Sequence, residues 1–176
     1  MKKKIQTQIK TKQMEKIKRV SKDCLALIEE FECGGDFRNF LAAYKCPAGK
    51  WTVGMGTTRY PNGQPVMPGD RITEQQVFEY VTYDLAAAES AVAHSVTAEI
   101  SQQQFDATVS FVYNLGVLAF KGSTLLKVIN NNPADPAIEK QFRRWIMVGG
   151  KPLVGLVRRR RSEAYLYFNG LLKFNF

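Results

Sequence analysis

The sequence predicts an α+β protein, mostly helical, with a small lobe built on a β-hairpin sheet and a larger helical lobe. Three observations predict it. Trp51-Thr52-Val53-Gly54-Met55-Gly56 is short, β-branched and broken by glycine, and Pro61-Asn62-Gly63 adds a turn with the Asn-Gly pair that suits tight hairpins. From Thr73 onward, segments open on helix-capping residues and close on breakers. At 176 residues the chain fits one domain whose core needs no staple.

The elements follow in order. Residues 1–20 read as a basic arm and residues 21–176 as the folded domain. In the arm, Ile5, Ile9, Met14, Ile17 and Val20 recur at loosely helical spacing. Ser21 is placed to cap a helix with Cys24, Leu25, Ile28 and Phe31 inward, ending near Cys33-Gly34-Gly35. Tyr44 to Gly63 supplies the hairpin sheet. Thr73-Glu74-Gln75-Gln76 and Ser101-Gln102-Gln103-Gln104 are capping boxes, and Gly116 stops the second of these helices. Ser123 caps Leu125 to Asn130. Asp135-Pro136 opens a helix through Phe142 and Trp145 that stops at Gly149-Gly150. A last helix is expected from about Leu156 to Phe168, so the chain reads as helical to its end.

Composition narrows the function. Hydrophobic content of 45% and charged content of 23% exclude disorder for the bulk of the chain. No apolar run reaches the roughly 18 residues of a membrane span. The lysines after Met1 are not followed by the apolar stretch of a secretory signal, so no secretory signal of the usual kind is expected. Three cysteines and one histidine, without a CxxC, give no structural zinc set, and free thiols in a reducing compartment are the simplest reading. The net charge of +9 is uneven: residues 1–22 hold nine basic groups against Glu15. Residues 23–100 hold five basic against eleven acidic groups, and residues 101–176 eleven against four. Such an arm favours polyanions, whether nucleic acid, anionic membrane or wall polymer, or else is a solvated extension that aids solubility.

Chemistry must come from carboxylates, hydroxyls or a thiol, because GxSxG, P-loop, GxGxxG and HExxH patterns are absent. Carboxylates are densest in Glu29-Glu30-Phe31-Glu32, at a helix end just before the glycine-rich hairpin. An acid there, facing a hairpin that carries a second polar group, is the arrangement a glycosidase needs.

These residues carry a resemblance. Phe31-Glu32, then Tyr44-Lys45-Cys46-Pro47-Ala48-Gly49-Lys50-Trp51-Thr52-Val53-Gly54-Met55-Gly56-Thr57-Thr58, resembles the phage-type lysozymes of glycoside hydrolase family 24. These are endolysins of phages and prophages that cut peptidoglycan glycan. Asp106 to Gly116 is similar to the family's D-A-L-V-S-F-x-x-N-x-G helix. Ser123-Thr124-Leu125-Leu126, Phe142 with Trp145, and Gly155 to Arg160 with Glu163 are similar to its closing motifs. The resemblance spans residues 21–170.

It implies hydrolysis of the β-1,4 bond between N-acetylmuramic acid and N-acetylglucosamine, by a monomer acting on peptidoglycan strands without cofactor or metal, held in the host cytoplasm until a holin, or lysis, gives it the wall. Glu32 would be the general acid, and Thr52 with the residue-46 side chain would hold the attacking water. Cys46 stands where many members have aspartate, and Thr57 where many have histidine; Thr57 and Asn114 would face the saccharide. Twelve residues separate Glu32 from Tyr44, five more than usual, and an ungapped alignment would put Phe37 in the glutamate's place. Glu32 is preferred because phenylalanine donates no proton. Read without the family, Glu29, Glu30 and Arg158–Arg161 are solvated helix surface, Asp36 is loop, and Cys24, Phe142 and Trp145 are core. Two other functions fit the same residues: a lytic transglycosylase with a single glutamate, or a non-catalytic wall- or nucleic-acid-binding protein.

Overall fold

The computed structural model describes residues 18–46 and 49–176. The apolar spacing from Ile5 to Ile17 lies outside the described residues. The chain then forms α1 (Lys22–Cys33), a 3-10 turn (Phe37–Phe40), β1 (Tyr44–Lys45) and β2 (Trp51–Thr52). Next come α2 (Glu74–Ser95), α3 (Gln102–Leu115), α4 (Val117–Lys121), α5 (Thr124–Asn131) and α6 (Ala137–Arg143). Strands β3 (Met147–Val148) and β4 (Lys151–Pro152) precede the last helix, α7 (Val154–Asn169). This is the α+β, mostly helical architecture that the sequence predicts.

Local chemistry explains the helix starts. Ser21 caps α1, accepting from Asp23 N, and Ser123 caps α5, accepting from Leu126 N. Thr73 with Gln76 and Ser101 with Gln104 form complete capping boxes at α2 and α3, satisfying amides that no helical carbonyl can reach. Asp135 acts one residue further from its helix than expected, its carboxylate accepting from Ala137 N at 2.8 Å.

Helix α3 is the axis of the helical lobe. Every residue from Phe105 to Val112 is buried, so α3 has no solvated face and is wrapped by α1, α2, α4 and α7. On α1 the inward residues are Cys24, Leu27, Ile28 and Cys33; Leu25 and Phe31, expected inside, are half-buried at the rim. Ahead of α1 the chain is anchored. Val20 N and Arg19 donate to the buried Glu89 of α2 at 2.8 and 2.6 Å, and Ser21 donates twice to Asp106 of α3. Lys18 donates to the Ile100 carbonyl.

Two expectations need correction. The helix through Trp145 ends at Arg143, and Gly149-Gly150 is the loop of a second hairpin, with Val148 opposite Lys151 and Met147 opposite Pro152. Both glycines have positive φ (57° and 79°), as a two-residue turn between antiparallel strands requires, so a pair that can stop a helix here turns a hairpin. The Arg158–Arg161 run is not a solvated face throughout: Arg159 and Arg160 are buried.

Candidate active site

The small lobe's first hairpin pairs Tyr44 with Thr52 and Lys45 with Trp51, and its turn is closed by Cys46 N donating to Lys50 O at 3.0 Å. After β2 the backbone folds on itself: Val53 and Thr57 exchange both amide hydrogen bonds around Gly54-Met55-Gly56. Gly56 has φ of 98°, where a side chain would be strained. A Cβ there would lie 3.7 Å from Glu32 Oε2 and 3.5 Å from the Tyr113 hydroxyl, so this turn lies directly beside the glutamate.

Glu32 closes the last turn of α1. Its Oε1 accepts from Arg159 of α7 at 2.6 Å, leaving Oε2 beside Gly56. The guanidinium of Arg159 is buried, lies 5.7 Å from the centre of the Phe31 ring, and also reaches Glu163 and the Ser110 carbonyl. Two phenols flank the carboxylate. Tyr113 of α3 donates to Met55 O at 3.1 Å, and burial raises its pKa, with Glu32 and Asp84 adding to the rise. Burial also pushes Tyr44 up to about 12, with Cys33, Glu32 and Cys46 contributing. Cys33, whose thiol donates to Gly54 O, is likewise pushed up to about 12, by burial first and then by Glu32, Glu29 and Asp36. At neutral pH these three groups keep their protons, and Tyr113 and Cys33 act as donors, not nucleophiles.

The five residues singled out by sequence fall into two sets. Glu32 lies beside the small lobe, close enough to Tyr44 to raise its pKa, and Tyr44 pairs with Thr52 across the hairpin and stands two residues before Cys46. Thr52 is buried, its hydroxyl donated to Lys50 O at 3.1 Å with lone pairs left to accept. Thr57 and Asn114 are committed to protein partners. Thr57 donates to Asp84 of α2 at 2.7 Å, and Asn114 accepts from Arg160 at 3.0 Å. The insertion before Tyr44 becomes the 3-10 turn. Asp36 caps it, and Phe37 is buried edge-on against Phe78 at 5.1 Å, a core position. Glu30 pairs with Arg158 at 2.9 Å. Phe142 is core, and Trp145 packs edge-on to Phe111.

Sequence reasoning did not single out Arg159 as Glu32's partner. Glu163 four residues on was the available sign, since an acid at that spacing can bind the arginine from within one helix.

The model of the family described as phage lysozyme matches residues 39–163. The chain belongs to the phage lysozyme family. The endolysin of Acyrthosiphon pisum secondary endosymbiont phage 1 is 36% identical over 152 residues, 84% of this chain and 97% of that one. The endolysin of Salmonella phage P22 is 36% identical over 124 residues, 70% of this chain and 84% of that one. Among solved structures, an endolysin from Escherichia coli O157:H7 phage FAHEc1 aligns with a TM-score of 0.79 at 32% identity, covering 89% of this chain and 97% of that one. As a phage lysozyme the chain is a glycosidase. The family match begins beyond α1, so Glu32 lies outside it, and the case for that residue is geometric. Two cavities lie away from this lysozyme's carboxylate. One of about 400 Å³ is lined by Lys18, Val96, Ile100 and Phe105, and one of about 540 Å³ by Tyr60, Arg71 and Tyr80.

Proposed function

We propose that the chain hydrolyses the β-1,4 bond between N-acetylmuramic acid and N-acetylglucosamine in peptidoglycan, with Glu32 as general acid. One observation carries the reading. The Glu32 carboxylate closes α1 with Oε1 held by Arg159 and Oε2 open beside the small lobe. Oε2 is the oxygen that delivers the proton to the leaving glycosidic oxygen. Water oriented by Thr52 and Cys46 attacks from the opposite face, giving inversion. Cys46 positions water and is not itself the nucleophile. Thr57 and Asn114 hold the walls of the cleft. The enzyme acts as a monomer, reaches the wall when a holin opens the membrane, and is drawn to anionic wall or membrane by its arm. Among the described residues no helix is long and apolar enough to cross a membrane.

The test is clearance of purified peptidoglycan with mass spectrometry of the products. Glu32→Gln should keep the fold and lose at least about 10²-fold in rate. Damage from Glu29→Gln or Asp36→Asn in its place would sink the assignment. Reducing ends are expected; 1,6-anhydro ends would make it a transglycosylase, and wall binding without cleavage would make it a binding protein. Cys46→Ser should retain much of the activity. A rise of rate with pH on the alkaline side, present in wild type and absent in Cys46→Ser, would overturn the water-positioning role.

A further inference from the structure

Behind Glu32 lies a row of charges of alternating sign. Arg159 NH1 holds Glu32 Oε1 at 2.6 Å, and Arg159 Nε reaches Glu163 Oε1 at 3.2 Å. Arg160 Nε and NH2 lie 2.9 Å from the two oxygens of Glu163. Side-chain exposure falls from 27% at Glu32 to 3% at Arg159 and to 0% at Glu163 and Arg160. Ser110 donates to Glu163 at 2.8 Å, and Phe111 lies under Arg160 at 5.0 Å. Glu89 and Asp106, the other buried carboxylates, are met at the entry to α1, so this row itself holds two buried cations and one buried anion. Burying an unmatched charge is costly, so the surplus positive charge has to be met at the edge of the cluster. Glu32 meets it.

We propose that Glu163 and Arg160 are positioning residues that act on Glu32 through Arg159, fixing its Oε1 and setting how firmly its ionised form is held. This rests on Glu32 being the general acid. A carboxylate on a surface helix would be free to rotate and would see mostly solvent. Here one oxygen is pinned by a buried guanidinium, and only the other remains for the proton. The net charge behind the pin decides how readily that proton is kept. Removing Glu163 leaves Arg159 and Arg160 uncompensated and strengthens the pull on ionised Glu32. Removing Arg160 lets Glu163 bind Arg159 alone and weakens it. The other groups around Glu32 are unchanged by either substitution. They are Tyr113 from α3, Tyr44 of β1 with its neighbour Cys46, and Cys33, Glu29 and the Arg158-bound Glu30 on the α1 side. Besides the two arginines and Ser110, Glu163 has Cys24 of α1 as a titratable neighbour, protonated because burial raises its pKa.

The experiment measures pH–rate profiles on soluble peptidoglycan oligomers for wild type, Glu163→Gln, Glu163→Asp and Arg160→Met. A carbon-13 titration of the Glu32 carboxyl, assigned by its loss in Glu32→Gln, runs beside them. Glu163→Gln should move the basic limb and the NMR midpoint toward acid by about half a pH unit or more, and Arg160→Met should move both toward alkali. Glu163→Asp keeps the charge and should restore the wild-type limb even where its rate is lower. If Glu163→Gln does not fold, the alkaline shift of Arg160→Met and the restored limb of Glu163→Asp carry the test. Lost rate with unmoved limbs, or shifts of the same sign in Glu163→Gln and Arg160→Met, overturns the proposal. Activity surviving in Glu32→Gln would instead sink the general-acid reading itself, so the two failures are distinct.

Discussion

Thr57 and Asp84 are held together at 2.7 Å, Thr57 fully buried and Asp84 half-buried, joining the small lobe to α2. Thr57→Val removes the donor and leaves a desolvated acceptor, at a cost of about 1–3 kcal/mol; Thr57→Ser restores it. Urea unfolding checks this, and a raised KM with unchanged stability would show that Thr57 serves the saccharide instead. Burial raises the Asp84 pKa, with the Thr57 hydrogen bond opposing. A carboxyl whose folded pKa lies above its unfolded value of about 3.9 binds its proton more tightly when folded. Its contribution is therefore complete below that pH and is lost as pH rises through the folded value. Asp84→Asn has no such slope, so the stability of wild type minus that of Asp84→Asn should fall as pH rises above about 4. A difference that is flat or rises would mean Asp84 is not held in this way. None of these partners was legible in the sequence: Thr57 stands 27 residues from Asp84, and Glu32 127 from Arg159.

Elements were far more legible, because what starts a helix is local. Ser21, Thr73 with Gln76, Ser101 with Gln104, and Ser123 each cap the helix predicted from them. The β3–β4 hairpin escaped because strands of two residues show no periodicity and Gly149-Gly150 is also a helix-stop signal. The entry to α1 gives a prediction at this scale. Arg19 and Val20 satisfy Glu89, a carboxylate 2% exposed. Deleting residues 1–17 leaves that anchor whole and should change stability by less than about 1 kcal/mol. Deleting 1–20 strands a buried charge and should cost about 2 kcal/mol or more. Equal midpoints for the two truncations in thermal melts would refute the anchor.

Across the whole molecule, the candidate site draws on α1, the Gly56 turn, α3 and α7, four segments far apart in sequence that meet where the two lobes join. The family motifs lie in those segments, which is why resemblance reached the site while composition reached only its class. Charge is organised on the same scale. Residues 1–17 contribute six lysines against Glu15, more than half of the net +9. Retention on anionic wall should therefore weaken in the 1–17 truncation and lose much of its salt dependence, read as the fraction sedimenting with walls from about 0.05 to 0.5 M salt. Unchanged sedimentation would leave the arm without a role in attachment.

The anchor at Glu89 and Asp106 also fixes where this enzyme can be spliced. Eleven steps of about 1.5 Å along α1 place roughly 16 Å between the anchored Ser21 and Glu32. A foreign wall-targeting module fused ahead of Lys18 would join the body at a rigid seam, remote from the cleft, and could be exchanged for another without retuning the chemistry.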